Sequence, residues 1–235
     1  MRLLGLIGGM SWESTAIYYR HLNELVRERL GGLHSARLLL WSVDFAEIAA
    51  LQHDGRWDEA GERLIEAARR LEAAGAAGLV LCTNTMHKLA GPLQAGVGIP
   101  VLHIADATGA AIRAAGRSRP ALLATRFTME QPFYAGRLRE RFGLDPLVPD
   151  EAGRAEIHRI IYEELCRGVV TDASRRAALR SIDRLRDQGA DSVILGCTEL
   201  TMLLGPADVE LPVFDTTRLH AEAAADFALS PGGAE

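Results

Sequence analysis

The chain has 235 residues, 48% hydrophobic and 24% charged, with 26 basic side chains against 31 acidic ones and a net charge of −5. Such a chain has ample core for one large α/β domain or two small ones, and it lacks the basic patch a nucleic-acid binder needs. No window approaches the roughly 20 apolar residues of a membrane span. The apolar start "MRLLGLIGGM" stops at Trp12 and Glu13 without a cleavage site, so neither membrane attachment nor export is expected.

Short apolar runs then alternate with longer amphipathic stretches. Strands are predicted at 3–7, 36–42, 78–82, 100–104, 120–124, 146–149, 192–196 and 212–215. Runs of this length without polar interruption suit strands covered on both faces. In the helix predicted over 57–73, Trp57, Gly61, Leu64, Ala68 and Leu71 share one face, and Gly75 stops it. Strand–helix alternation implies parallel sheets with right-handed crossovers, and ligands gather at the carboxyl ends of such strands.

The pattern repeats. "LVLCTNTMHK" (79–88) and "SVILGCTEL" (192–200) each aim a strand at a cluster of thiol, hydroxyl and amide groups, and Thr83 lies 114 residues before Cys197. "GLIGGM" precedes "ALLATR" by about the same interval. The economical reading is two βα halves joined near "AAGRSRP" (114–120), with a single mixed sheet as the alternative. The "SPGGAE" end (230–235) reads as a frayed terminus.

Three widely spaced cysteines, Cys82, Cys166 and Cys197, argue against a disulfide framework and for a reducing cytoplasm. No CxxC, HExxH or His-rich spacing points to a metal. Cys197 ends a strand just before a predicted helix start, where free N–H groups lower a thiol pKa; a buried structural cysteine is the alternative. Alternation along the strand turns Cys82 toward a helix layer and leaves Thr83 and Asn84 toward a cleft. Thr85 is expected to cap the next helix, with His87 in its first turn. In "GGMSWEST" (8–15) the glycines permit a tight turn before a helix whose N–H groups suit a carboxylate, since no phosphate-loop or GxGxxG pattern is present. Ser11 is the expected N-cap. "ATRFTMEQ" (124–131) repeats the element, with Thr125 and Thr128 as donors.

Taken together, "GLIGGMSWEST", "CTNTMHK", "TRFTMEQ" and "GCTEL" resemble the aspartate/glutamate racemase family, which includes hydantoin racemases, over roughly residues 3 to 228. The resemblance implies two pseudo-symmetric α/β lobes, each a parallel four-stranded sheet flanked by helices, with the active site in the cleft between them. The first lobe would span 1–116, with a helix over 216–229 returning to it, and the second 117–215. It also implies amino-acid racemisation without pyridoxal phosphate or metal, and a homodimer. In typical members one cysteine from each lobe flanks Cα. Cys197 matches the second-lobe cysteine. The first-lobe Cys-Asn-Thr, aligned through Asn84 and Thr85, puts Thr83 where the other cysteine stands.

The expected acid/base pair is therefore Cys197 and Thr83, a thiol facing a hydroxyl. Expected substrate contacts are Met10, Asn84, Thr85, Thr125, Thr198 and Glu199, with Gln52 added by the resemblance. Aspartate or glutamate is the leading substrate class, with a neutral polar amino acid behind it. Aspartate-preferring relatives carry a cation after strand two, but "VDFAEIAALQ" (43–52) has none, which leaves Arg126 and Lys88 as candidates. Rival readings are a decarboxylase or isomerase of a small dicarboxylic acid, and a non-catalytic amino-acid-binding protein.

Overall fold

Leu4–Gly8, a run without one polar side chain, forms the first strand (β1), and all five residues are buried. In the computed structural model, which describes residues 1–230, β1 has parallel partners on both sides. Leu38–Ser42 (β2) pairs from Leu4↔Leu38 to Gly8↔Ser42, and Gly78–Leu81 (β3) from Leu4↔Gly78 to Ile7↔Leu81. Val101–Leu102 (β4) joins β3, giving the order β2-β1-β3-β4. Trp12–Leu30 (α1) follows β1, and Phe45–His53 (α2) and Trp57–Ala73 (α3) follow β2. A 3-10 turn, Thr85–Leu89, and Ala90–Ala95 (α4) follow β3. Gly61, Leu64, Ala68 and Leu71 of the predicted α3 stripe are buried, and Gly75 leaves the helix at φ 93°.

The second sheet is built the same way from Ile104–Ala114 (α5), Pro120–Ala124 (β5), Arg126–Glu130 (α6), Pro132–Phe142 (α7) and Glu151–Arg159 (α8). After α8 come a π turn (Ile160–Glu164), a 3-10 turn (Leu165–Arg167), Asp172–Asp187 (α9), Ser192–Gly196 (β6), Leu200–Leu203 (α10), Val213–Asp215 (β7) and Thr216–Leu229 (α11). Its order is β5-β6-β7, all parallel. This corrects the expected four strands to three. The run at 146–149 contributes only an isolated parallel bridge, Ala121↔Leu147. Leu147 donates to the Pro120 carbonyl and accepts from the Leu122 amide, and Asp145 donates to the Ser118 carbonyl, but Pro120 and Pro149 have no N–H to give the next ladder bonds on either side. With Leu147 beside β5, the neighbour order still repeats that of the first sheet.

Met1–His103 and the stretch from His220 form one compact unit, and Ile104–Leu219 the other. The sequence reading drew the border after 116. α5 instead belongs to the second unit, because Ile104, Ala105 and Ile112 pack into the core around β5 and β6. From His220 onward α11 belongs to the first unit, where Ala221, Ala224, Ala225 and Ala228 join Tyr18, Leu22 and Cys82. Of the predicted frayed end, residues 231–235 lie outside the described residues.

His220 makes this first unit acid-sensitive. Its Nε2 lies 2.8 Å from the Leu102 carbonyl, which can only accept, so Nδ1 accepts from the Tyr18 hydroxyl at 2.8 Å. Burial, and secondarily the neighbouring His87, push its pKa down to about 3. An unfolded histidine titrates near 6.5, so the unfolded chain binds the extra proton first as pH falls. The neutral ring's contribution is complete above about pH 6.5 and is lost as pH falls from there toward about 3. Between pH 7 and 4.5 the expected loss is roughly 2–3 kcal/mol, read as a falling urea midpoint. His220→Gln is expected to flatten that pH slope; an unchanged slope would assign the sensitivity to another group.

Candidate functional site

In the first unit the turn after β1 admits only glycine. A Cβ on Gly8 would lie 2.5 Å from Thr15 Cγ2, and Gly9, at φ 89°, would put one 2.3 Å from the Val43 carbonyl oxygen. Thr15 fills the space, accepting from the Gly9 amide at 2.8 Å and donating to the Ser11 carbonyl at 2.9 Å. Ser11 caps α1, accepting from the Ser14 amide. Buried Met10 is thereby held at the carboxyl end of β1.

The end of β3 lies alongside, tied by the Cys82 amide to the Ile7 carbonyl at 2.9 Å. Cys82 is buried among α1 and α11 residues, and burial pushes its thiol pKa far up. It is part of the core, as strand alternation predicts. Thr83 is half-buried. Its carbonyl oxygen lies 2.7 Å from His87 Nδ1, and because a carbonyl only accepts, that nitrogen carries hydrogen. This nitrogen of His87 therefore anchors the Thr83 backbone and is not a base for the Thr83 hydroxyl. The His87 ring packs against His103, with centroids 4.6 Å apart, and against His220 at 5.6 Å. Asn84 and Thr85 are buried, but Thr85 opens the 3-10 turn rather than capping it, with Asn84 in the cap position. Gln52, buried in the last turn of α2, points its Nε2 at Met86 Sδ, 2.9 Å away. That contact ties it to the same turn. Met10, Gln52, Thr83, Asn84 and Thr85 are thus gathered at the carboxyl end of one sheet.

In the second unit β5 and β6 end side by side at Ala124↔Gly196. Thr125 follows β5, its hydroxyl 3.3 Å from that of Thr128. Cys197 follows β6 and is buried, its Sγ donating to Glu199 Oε2 at 2.9 Å. Thr198 pairs with Thr217 hydroxyl to hydroxyl at 2.8 Å. The expectation that a helix start lowers the Cys197 pKa is corrected. α10 begins only at Leu200 and has four residues, while burial first and the Glu199 carboxylate next hold the thiol well above its ordinary range. The resting group is an S–H aimed at a carboxylate. Arg126, one of the two candidate cations, lies 3.0 Å from Glu130, which also pairs with Arg154 at 3.0 Å.

Sequence reasoning missed Tyr162. Burial, then the charges of Cys197, Cys166 and Glu199, push its hydroxyl pKa up, which places it in the electrostatic reach of Cys197. Its ring lies 4.7 Å from that of His158, which in turn stands 6.0 Å from Phe127. Tyr162 sits in the π turn Ile160–Glu164, and no sequence signal marks such a turn. Among the described residues no group of three or more His, Cys, Asp or Glu could hold a metal ion. No helix among them is long and apolar enough to cross a membrane.

The Cys197–Glu199 contact has a direct test. With Glu199→Gln the raising charge is removed, so alkylation of Cys197 by iodoacetamide is expected to begin at lower pH than in the wild type. An unmoved onset would show that the carboxylate does not govern the thiol.

The Asp/Glu/hydantoin racemase family model matches residues 7–224. The chain belongs to that family. A candidate Asp/Glu racemase from Yersinia pestis is 53% identical, with TM-score 0.92, over 98% of this chain and 100% of the other. An aspartate racemase homologue from Pyrococcus horikoshii OT3 is 34% identical, with TM-score 0.84, over 97% and 99%. The broad-specificity amino-acid racemase RacX of Bacillus subtilis (strain 168) is 21% identical over 92% of this chain and 93% of its own. As a racemase-family member the chain carries the α/β fold with two parallel sheets, of four and three strands, flanked by helices.

Proposed function

We infer that this racemase-family chain inverts amino acids at Cα without pyridoxal phosphate or metal, with Cys197 and Thr83 as its acid/base pair and aspartate or glutamate as substrate. The observation that carries the reading is the buried Cys197 S–H held 2.9 Å from Glu199 Oε2. A thiol above its ordinary pKa range is a poor base at neutral pH unless a neighbour accepts its proton, and Glu199 is placed to do so. The thiolate then removes the α-proton, and the electron pair moves onto the substrate carboxylate. Thr83 delivers a proton to the opposite face while its hydroxyl is replenished from solvent. Asn84, Thr85, Thr125 and Thr198, with the backbone at Met10, are hydrogen-bond donors for the charge that builds on the carboxylate. Loss of one such donor typically costs ~10²–10³ in rate.

Purified protein freed of cofactors and treated with EDTA is incubated with a panel of L- and D-amino acids, and the products are resolved by chiral chromatography. Inversion is expected under these conditions. Inversion that returned only on adding pyridoxal phosphate or a metal would overturn the reading, as would a panel left unchanged.

A further inference from the structure

Lys88 is the sole lysine of a chain whose 26 basic residues are otherwise all arginine. It stands in the 3-10 turn Thr85–Leu89 that follows β3. Such a turn has three residues per revolution, so Thr85 and Lys88 eclipse one another on one side of it. Its Nζ lies 3.8 Å from the centre of the Trp57 ring. Trp57 opens α3, the helix that runs back to the start of β3, so it too stands at the carboxyl end of the sheet.

Trp57 alone does not demand a lysine, because a guanidinium also stacks on an indole. What an ammonium adds is a compact charge with three donors. One side of the Lys88 head rests on the ring, and among the described residues no carboxylate lies within ion-pair distance of it. Partial burial lowers its pKa from the ordinary value, an effect that an anionic partner would reverse. The other candidate cation, Arg126, already has Glu130. The loop after β2 contains no cation.

We propose that Lys88, backed by Trp57, binds the side-chain carboxylate of an acidic amino-acid substrate and so sets a preference for aspartate or glutamate over their amides. The proposal rests on the racemase reading only for its kinetic test. Lys88→Met keeps an unbranched stem against Trp57 and removes the charge, whereas Lys88→Arg keeps the charge. Racemisation of aspartate, glutamate, asparagine and glutamine is measured for each, together with calorimetric binding of aspartate and asparagine. Lys88→Met is expected to raise KM and Kd for the acids by about 10- to 100-fold, the range for one charged hydrogen bond. Values for the amides should move by less than about threefold on the same scale. Lys88→Arg is expected to recover part of the acid affinity.

Equal losses on acids and amides would reduce Lys88 to a structural residue, and no loss on the acids would remove it from the site. A wild type that inverted only neutral amino acids would overturn this proposal and the acidic substrate class, and leave inversion at Cα itself standing. Lys88-dependent aspartate binding without any inversion would do the reverse.

Discussion

Cys197→Ala is expected to abolish both inversion and solvent exchange at Cα, lowering each by ~10³ or more, within the range for loss of a general acid/base. The same change at Cys82 is expected to leave most activity. Both thiols follow strands of the same design, but their surroundings differ. Cys197 is buried with a carboxylate 2.9 Å from its sulfur. The Cys82 sulfur sits 3.7 Å from the Val80 carbonyl, inside a core of α1 and α11 residues. Removing it opens a small apolar cavity, at a cost of about 1 kcal/mol, which shows in melting rather than in turnover. Near-complete loss of activity in Cys82→Ala, with a normal melting curve, would mean that the residue facing the substrate is one position earlier than Thr83.

The second large effect concerns Thr83. Enantiomers in water have equal free energy, so a racemase has equal kcat/KM in both directions and the thiol–hydroxyl pair cannot make inversion one-way. It can separate exchange from inversion. The resemblance to the racemase family implies that Cys197, as the second-lobe cysteine, faces the α-proton of the L enantiomer. Thr83→Ala is therefore expected to keep exchange of L-substrate in D₂O and to lose inversion by ~10² or more. Thr83→Cys should bring the two rates together. The backbone geometry favours a clean result, because Thr83 is held through main-chain contacts, its amide to Leu81 and its carbonyl to His87. A Thr83→Ala variant that racemises at the wild-type rate would remove Thr83 from the pair.

Much of this architecture was legible in the sequence because parallel strands buried on both faces show as unbroken apolar runs. Runs at β1, β5 and β6 fell within a residue of the observed strands, and the placement of Cys82 in the core followed from period-two alternation. The run at 146–149 misled because apolar character alone ignores Pro149 and the facing Pro120, which interrupt the ladder on either side of one bridge. The border at 116 misled because the small-residue stretch after α5 looks like a linker, whereas Ile104 and Ile112 commit that helix to the second core. At the site, residue types and spacing identified the strand-end clusters. They could not reveal that Glu199 folds back onto Cys197 and raises its pKa, since that depends on the path of the chain between them. Nor could they separate Lys88 from Arg126, a distinction set by a glutamate on the next turn of α6.

The most direct test of the acid/base account is proton NMR of the wild-type protein with L- and with D-aspartate in D₂O, following the Cα proton and the enantiomer together. The account predicts that each enantiomer yields the other carrying deuterium at Cα, with deuterated L-aspartate running ahead of D-product only when the reaction starts from L. Opposite enantiomer that formed with its original Cα proton would contradict it, as would aspartate and glutamate whose Cα protons never left.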